Sequence, residues 1–114
     1  MSESISNIGG EAKLLSSLGL CAKAGKLIYG VPMICEALRK GGKNAPVMVL
    51  ESSDTSDNTH KKISDKCSYY NTKLVRLEAT GVELAAALGK TSSLAAVAVT
   101  DENICRLVEK SIHP

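Results

Sequence analysis

The sequence predicts one α/β domain with a central sheet and helices on both of its faces. Short apolar runs typical of strands alternate with amphipathic helical stretches along the whole chain, and the connections between them are short. A length of 114 residues suits one compact domain and is too short for two ordinary ones. Because the chain contains no Trp and no Phe, its core is expected to be aliphatic.

The chain begins with a polar segment that ends in two glycines, and residues 1–10 are predicted to form a flexible N-terminus. A first amphipathic helix is predicted from Glu11 to Lys23, because apolar residues recur there at three- and four-residue spacing. These apolar residues are Leu14, Leu15, Leu18 and Cys21.

The stretch from 23 to 41 is the part of the chain on which the functional interpretation depends. It predicts a strand at 26–29, a turn at Gly30 and a helix that ends at Gly41. Pro32 suits the first helical position, where its missing N–H is not needed, and Val31 is expected to be the last extended residue before it. The core face of this helix is predicted to consist of Ile34, Ala37 and Leu38.

The remaining elements alternate in the same way. The predicted strands are at 46–50, 73–77 and 94–99, and the predicted loops are at 51–58 and 90–93. Helices are predicted at 59–70, with Ile63, Cys67 and Tyr70 inward, and at 81–88. A last helix is predicted from about Asp101, with Ile104, Leu107, Val108 and Ser111 or Ile112 inward. The strand at 94–99 is the most apolar and could therefore lie centrally in the sheet.

Positive charge is concentrated in one part of the chain, although the net charge of the whole is only +2. Residues 12–50 hold six basic residues and one acid, whereas residues 51–114 hold eight basic and nine acidic residues. This asymmetry suggests a surface that faces a polyanion, but an ordinary lysine-decorated surface is an equally good explanation of the charge alone.

The four cysteines lie far apart and lack the Cys-x-x-Cys spacing of a metal site. Cys21, Cys35, Cys67 and Cys105 each fall on or beside an apolar stripe, so they are interpreted as small buried hydrophobes in a reducing compartment. Neither a metal nor a cofactor is expected. The sequence shows neither a signal peptide nor an apolar run that could span a membrane, and a cytoplasmic location is expected.

The pattern of titratable residues argues against an enzyme. His113 is next to the C-terminus, and His60 lies beside Lys61 and Lys62, where exposure to solvent is the default expectation. No pair of carboxylates has the spacing of a general acid and base. Gly89-Lys90-Thr91 is not a phosphate loop, because Leu84 stands where the motif needs a glycine and a strand follows instead of a helix.

Nucleic-acid binding explains the sequence better. Basic residues cluster around the start of the second helix, where free backbone N–H groups favour phosphate. Aromatic residues make up only 3% of the chain, which disfavours recognition by base stacking and favours a shaped, structured RNA. The other basic group, Lys61, Lys62 and Lys66, shares its helix with acidic residues and is interpreted as a solvated face.

These segments resemble the ribosomal protein L7Ae family and, within it, the bacterial YlxQ-like branch. The resemblance is carried by Ala24-Gly25-Lys26-Leu27 with Gly30, by Ala37-Leu38-Arg39-Lys40-Gly41, by the segment from Asp54 to Cys67, and by the segment from Glu83 to Asp101. It implies a three-layer α/β/α sandwich with a small mixed central sheet over residues 11–114. It also implies a non-enzymatic protein of the ribosomal type that binds structured RNA containing a kink-turn, as part of a ribosome or of another ribonucleoprotein.

In this family, two adjoining elements grip the flipped nucleotide and the sheared G·A pairs of a kink-turn. They are the start of the second helix and the loop before the last strand. Carried over by position, the candidate RNA-binding residues are Lys26, Gly30, Val31, Pro32, Met33, Glu36 and Lys40 in the first element and Lys90, Thr91, Ser92, Ser93 and Leu94 in the second.

The centre of the first element departs from the family pattern Gly-x-Asn-Glu-x-x-Lys. Pro32, Met33 and Glu36 stand where that pattern has the amide, the carboxylate and the lysine. Each lost polar contact typically costs ~1–3 kcal/mol, so kink-turn recognition is expected to be weakened or altered. The alternative is a protein-interaction module that keeps the fold and presents an apolar patch at Val31, Pro32 and Met33.

Overall fold

The computed structural model describes residues 8–103 together with residues 106 and 110. Within this part of the chain, four strands and four helices alternate from one end to the other. They are α1 (Ile8–Lys23), β1 (Leu27–Tyr29), α2 (Val31–Lys40), β2 (Met48–Glu51), α3 (Asp57–Tyr69), β3 (Lys73–Arg76), α4 (Gly81–Ala87) and β4 (Ala96–Val99). None of the helices described is long and apolar enough to cross a membrane.

The sheet is mixed, and its strand order is β1-β4-β2-β3. Strand β4 runs antiparallel to both β1 and β2, whereas β2 runs parallel to β3. Every residue of β2 and β4 is buried, as expected for strands that are covered on both faces. This confirms the prediction that the most apolar strand lies centrally.

The two faces of the sheet are covered by different pairs of helices, because alternate side chains of a strand point to opposite faces. On one face, Leu14 and Leu18 of α1 and Leu84 of α4 share a core with Met48 and Leu50. On the other face, a second core includes Ile34 and Leu38 of α2, Ile63 and Cys67 of α3, and Val49 of β2. The predicted three-layer α/β/α sandwich is therefore confirmed.

Most of the element boundaries lie within a few residues of the predicted ones. Helix α1 begins at Ile8, three residues before the predicted start. Residues 1–7 of the predicted flexible N-terminus lie outside the described residues. Most of the predicted last helix also lies outside them, including Ile104, Leu107, Val108 and Ile112.

The prediction that Val31 is extended was wrong, because Val31 is the first residue of α2 and Gly30 is its N-cap. Proline disfavours a helical conformation in the preceding residue, but the side chain of Val31 is buried in the core between α2 and the sheet. Tertiary burial therefore outweighs the local preference. Ala37, predicted to face the core, is only half-buried.

The prediction that Glu51 belongs to a loop was wrong, and the expectation that His60 faces solvent was only partly correct, since 40% of its side chain is exposed. Glu51 is the last residue of the central strand β2, and its side chain is fully buried. The Nδ1 atom of His60 lies 2.9 Å from each carboxylate oxygen of Glu51, so the imidazole compensates the buried carboxylate. This contact ties the first turn of α3 to the end of β2.

Three of the four cysteines lie in the described part of the chain, and all three are free thiols. Cys21 and Cys67 are buried as predicted, while Cys35 is half-buried. Burial raises the pKa of both buried thiols, that of Cys67 to about 11, so these side chains stay protonated near neutral pH. Cys105 lies outside the described residues.

The start of α4 lies against the segment that precedes β4. Thr80 and Glu83 form a capping box, and Asp54 accepts a hydrogen bond of 2.9 Å from the N–H of Gly81. The N–H of Leu94 in turn donates to the carbonyl oxygen of Gly81 over 3.0 Å. A Cβ atom at position 81 would lie 2.9 Å from the carbonyl oxygen of Leu94 and still closer to Ser93 Oγ, so only glycine allows this approach.

The Glu51–His60 contact yields a test of stability. Replacing His60 with Ala should lower the free energy of unfolding by about 1–3 kcal/mol, because a buried carboxylate loses its hydrogen-bond partner. The matched control is Lys61→Ala, a change at the exposed neighbouring position that should alter stability by less than about 0.5 kcal/mol. Urea unfolding followed by circular dichroism measures both, and equal effects of the two changes would contradict this role of His60.

Candidate nucleic-acid interface

The candidate interface is built around Gly30, where the chain passes from the sheet into α2. Gly30 has φ 87° and ψ 148°, a conformation that side chains strongly disfavour. Its N–H donates to the carbonyl oxygen of Ala96 over 3.1 Å, and its own carbonyl oxygen accepts from the N–H of Ile34 over 3.0 Å. The start of α2 is therefore joined directly to the first residue of β4.

This junction forms a groove of about 360 Å³, called here the α2 groove. Its lining residues come from the α2 start, from the segment before β4 and from α3, and they are Gly30, Val31, Pro32, Thr59, Lys62, Ser93, Leu94 and Ala95. The two elements that the sequence predicted to adjoin do meet here. The groove brings together five of the predicted site residues: Gly30, Val31, Pro32, Ser93 and Leu94.

The α3 residues that line the groove, Thr59 and Lys62, were not predicted from the sequence as part of the site. Ser56 caps α3 by accepting from the N–H of Thr59 over 3.2 Å, and Thr59 and Lys62 then lie three residues apart on one helix face. The sequence contained this spacing, but it did not show that α3 lies beside α2 on the same face of the sheet. Lys62 is exposed, as expected from its interpretation as part of a solvated face, and it also lines the groove.

The other predicted site residues lie around the groove rather than in its lining. Met33 is 61% exposed, as its position off the core stripe of α2 predicted. Lys26, Lys40, Thr91 and Ser92 are also exposed. With Pro32 exposed and Val31 buried, the expected apolar patch is reduced to Pro32 and Met33.

Glu36 is held by its own helix. The guanidinium of Arg39 donates to both carboxylate oxygens of Glu36, with Nε to Oε1 at 3.1 Å and Nη2 to Oε2 at 2.6 Å. These hydrogen bonds are the main cause of the lowered pKa of the Glu36 carboxyl, and the positive charges of Arg39 and Lys40 lower it further. The charge reversal expected at this position is therefore partly offset by a neighbouring cation.

Lys90 is directed away from the α2 groove. Its Nζ atom lies 4.3 Å from the centre of the Tyr29 ring, within the range of a cation–π contact. Tyr29 packs against the core on the α1/α4 face of the sheet, whereas Val31 belongs to the core on the α2/α3 face. Leu94, at the end of the loop, packs against the same α1/α4-side core as Tyr29, yet it also lines the α2 groove.

The described residues contain no group of three or more His, Cys, Asp or Glu side chains that could hold a metal ion. The groove instead offers a backbone turn, hydroxyl groups, an ammonium group and small apolar side chains. Such a set can receive a nucleotide and donate to its phosphate, because nucleic-acid contacts rely on backbone N–H groups, hydroxyls and lysines.

Comparison with known proteins identifies the family to which this architecture belongs. The sequence profile of the ribosomal protein L7Ae/L30e/S12e/Gadd45 family matches residues 12–108. The RNA-binding protein YlxQ of Bacillus subtilis (strain 168) is 35% identical over 85 residues, which cover 75% of this chain and 80% of that protein. The YlxQ protein of Enterococcus faecium is 38% identical over 64 residues, or 56% of this chain and 59% of that one.

Two solved structures share the fold. A protein of unknown function from Bacillus halodurans superimposes with a TM-score of 0.80 at 31% identity, covering 90% of this chain and 99% of that chain. The Giardia lamblia 15.5kD RNA binding protein has a TM-score of 0.74 and covers 96% of this chain and 89% of its own. At 12% identity, its likeness concerns the fold alone.

These matches confirm the predicted resemblance to the YlxQ-like branch, and the names of the relatives, RNA-binding proteins, agree with the prediction of a chain that is not an enzyme. The family profile covers the whole sheet and all four helices from Ala12 onward. The chain belongs to the ribosomal protein L7Ae/L30e/S12e/Gadd45 family.

Proposed function

We propose that this protein is a cytoplasmic RNA-binding protein of the ribosomal type that recognises structured, kink-turn-like RNA with altered specificity. The observation that carries the proposal is the hydrogen bond between Gly30 at the α2 start and Ala96, the first residue of β4, beside which the segment before β4 lines the same groove. Family membership and the RNA-binding YlxQ relatives support it.

The altered specificity follows from the side chains in and beside the groove. Pro32 and Met33 carry no side-chain group that could form a bidentate hydrogen bond with a base edge. Recognition then depends on the shape of the groove, on backbone groups and on hydroxyls such as that of Ser93. Such contacts favour an RNA with a preformed bend and discriminate less among the bases at its centre.

Lysines supply the affinity for the phosphate backbone. Lys62 brings an ammonium group to the groove from α3, and Lys26 is exposed immediately before β1. The carboxylate of Glu36 is engaged by Arg39, so it repels phosphate less than an unpaired carboxylate would. Binding is expected to weaken strongly as the salt concentration rises, because each phosphate contact releases counterions.

The exposure of Met33 favours a second candidate function. With 61% of its surface exposed beside Pro32, Met33 could form the centre of a small protein-binding patch. Partners that remain bound after RNase treatment of a lysate, and that are lost in Met33→Lys, would support this function over RNA binding.

The first test of the proposal is a titration with a standard kink-turn hairpin and a plain duplex of equal length at physiological salt. The protein should bind the kink-turn about tenfold more tightly or better, which corresponds to about 1.4 kcal/mol. Fluorescence anisotropy measures both affinities. Equal affinity for the two RNAs would refute the recognition of a bent RNA.

The second test concerns Lys62. Lys62→Ala should weaken binding of the kink-turn hairpin and reduce the slope of log K against log salt by about one, because one phosphate contact is lost. Lys61→Ala is the matched control, since Lys61 is an exposed lysine on the same helix that does not line the groove. Equal slopes for the two variants would remove Lys62 from the interface.

A further inference from the structure

A second groove lies on the opposite face of the sheet, between the C-terminal ends of α1 and α4, and is called here the α1/α4 groove. Its volume is about 770 Å³, twice that of the α2 groove and within the range of small-ligand sites. The residues that line it are Ser16, Gly19, Leu20, Ala22, Lys23, Tyr29, Ala86, Ala87, Leu88, Gly89 and Lys90.

Both charged side chains that line this groove are positive. Lys23 and Lys90 are both exposed, and the described residues that line the groove include no carboxylate. Lys90 Nζ is held 4.3 Å from the centre of the Tyr29 ring, which places its charge at the groove wall. Two ammonium groups without a neighbouring carboxylate in the lining suit an anionic ligand.

Apart from the two lysines, much of the groove is lined by aliphatic and small side chains. Leu20 is 67% exposed, although its neighbours Leu14 and Leu18 on α1 are fully buried. Ala86 and Ala87 on α4 face it with methyl groups, which leave room for a flat ring or a sugar. The groove therefore combines an aliphatic surface with two cations, the combination that a nucleotide needs for its base and its phosphate.

The two grooves meet at the same end of the sheet. Tyr29 lines the α1/α4 groove and the next residue, Gly30, lines the α2 groove. In the same way, the loop at 90–94 contributes Lys90 to the α1/α4 groove and Ser93 and Leu94 to the α2 groove. An RNA seated in the α2 groove can therefore reach the α1/α4 groove by passing over this end of the sheet.

We propose that the α1/α4 groove binds an unpaired nucleotide that flanks the structured RNA element, with its phosphate at Lys23 and Lys90 and its base against Leu20, Ala86 and Ala87. The proposal rests on the proposed function, because continuity with the α2 groove favours RNA over an acidic peptide. A base-paired stem cannot fill this concave site, since its bases are already stacked and paired. The bound RNA then contacts both grooves across this end of the sheet.

The test compares two RNAs: a kink-turn hairpin with blunt ends and the same hairpin with an unpaired extension of about six nucleotides at each end. Wild-type protein should bind the extended RNA roughly fivefold more tightly, since one further phosphate and base contact is gained. The variants are Lys23→Ala and Leu20→Glu, both at exposed positions of α1. Each should abolish the gain from the extensions and leave the affinity for the blunt hairpin within a factor of two.

The matched control is Lys13→Ala, because Lys13 is an exposed lysine of the same helix that does not line the groove. It should keep the full gain, and thermal melting checks that all variants remain folded. If wild-type protein binds the blunt hairpin but the extensions add nothing, this inference fails while the proposed function stands. If the blunt hairpin is not bound at all, the proposed function itself fails.

Two further results would also overturn the inference. The first is an equal effect of Lys23→Ala and Lys13→Ala on the extended RNA, which would show only general charge attraction. The second is capture of an acidic protein from an RNase-treated lysate that is lost in Leu20→Glu while RNA binding is unchanged, which would assign the groove to a protein partner.

Discussion

The hydrogen bond from the N–H of Gly30 to the carbonyl oxygen of Ala96 is the contact on which the candidate interface depends. It closes the end of the sheet between β1 and β4 and requires a positive φ at the residue that caps α2. A side chain at this position would not clash, because a Cβ atom there has no neighbour within 4 Å. The constraint is therefore conformational, and glycine satisfies it at little cost.

The rest of the architecture holds this junction in place from both faces. The core under α2 and α3 buries Val31 and Ile34, which orients the start of α2 on the sheet. On the other face, the start of α4 lies so close to the segment before β4 that the carbonyl oxygen of Gly81 accepts a hydrogen bond from the N–H of Leu94. This approach leaves no room for a Cβ atom at position 81. The buried Glu51 and its partner His60 anchor the first turn of α3 to the central strand, so Thr59 and Lys62 are carried on a tethered helix end.

Periodicity and turn residues were enough to predict the layers and most of the elements, because strand and helix periods differ and glycine and proline mark the turns. They could not predict the Glu51–His60 contact, since a carboxylate beside a polar loop is normally exposed, whereas that of Glu51 is fully buried. Nor could they show which helix lies beside which. The position of Lys62 in the α2 groove depends on the helix neighbours across the sheet, and these follow from the strand order β1-β4-β2-β3.

The proposed function requires that the α2 start, the segment before β4 and the first turns of α3 form one RNA-binding surface. Amide chemical-shift mapping of ¹⁵N-labelled protein with a kink-turn hairpin tests this requirement. We expect the largest shifts at Gly30, Thr59, Lys62, Ser93, Leu94 and Ala95. Shifts confined to the far end of α3, around the exposed Tyr69, would contradict it.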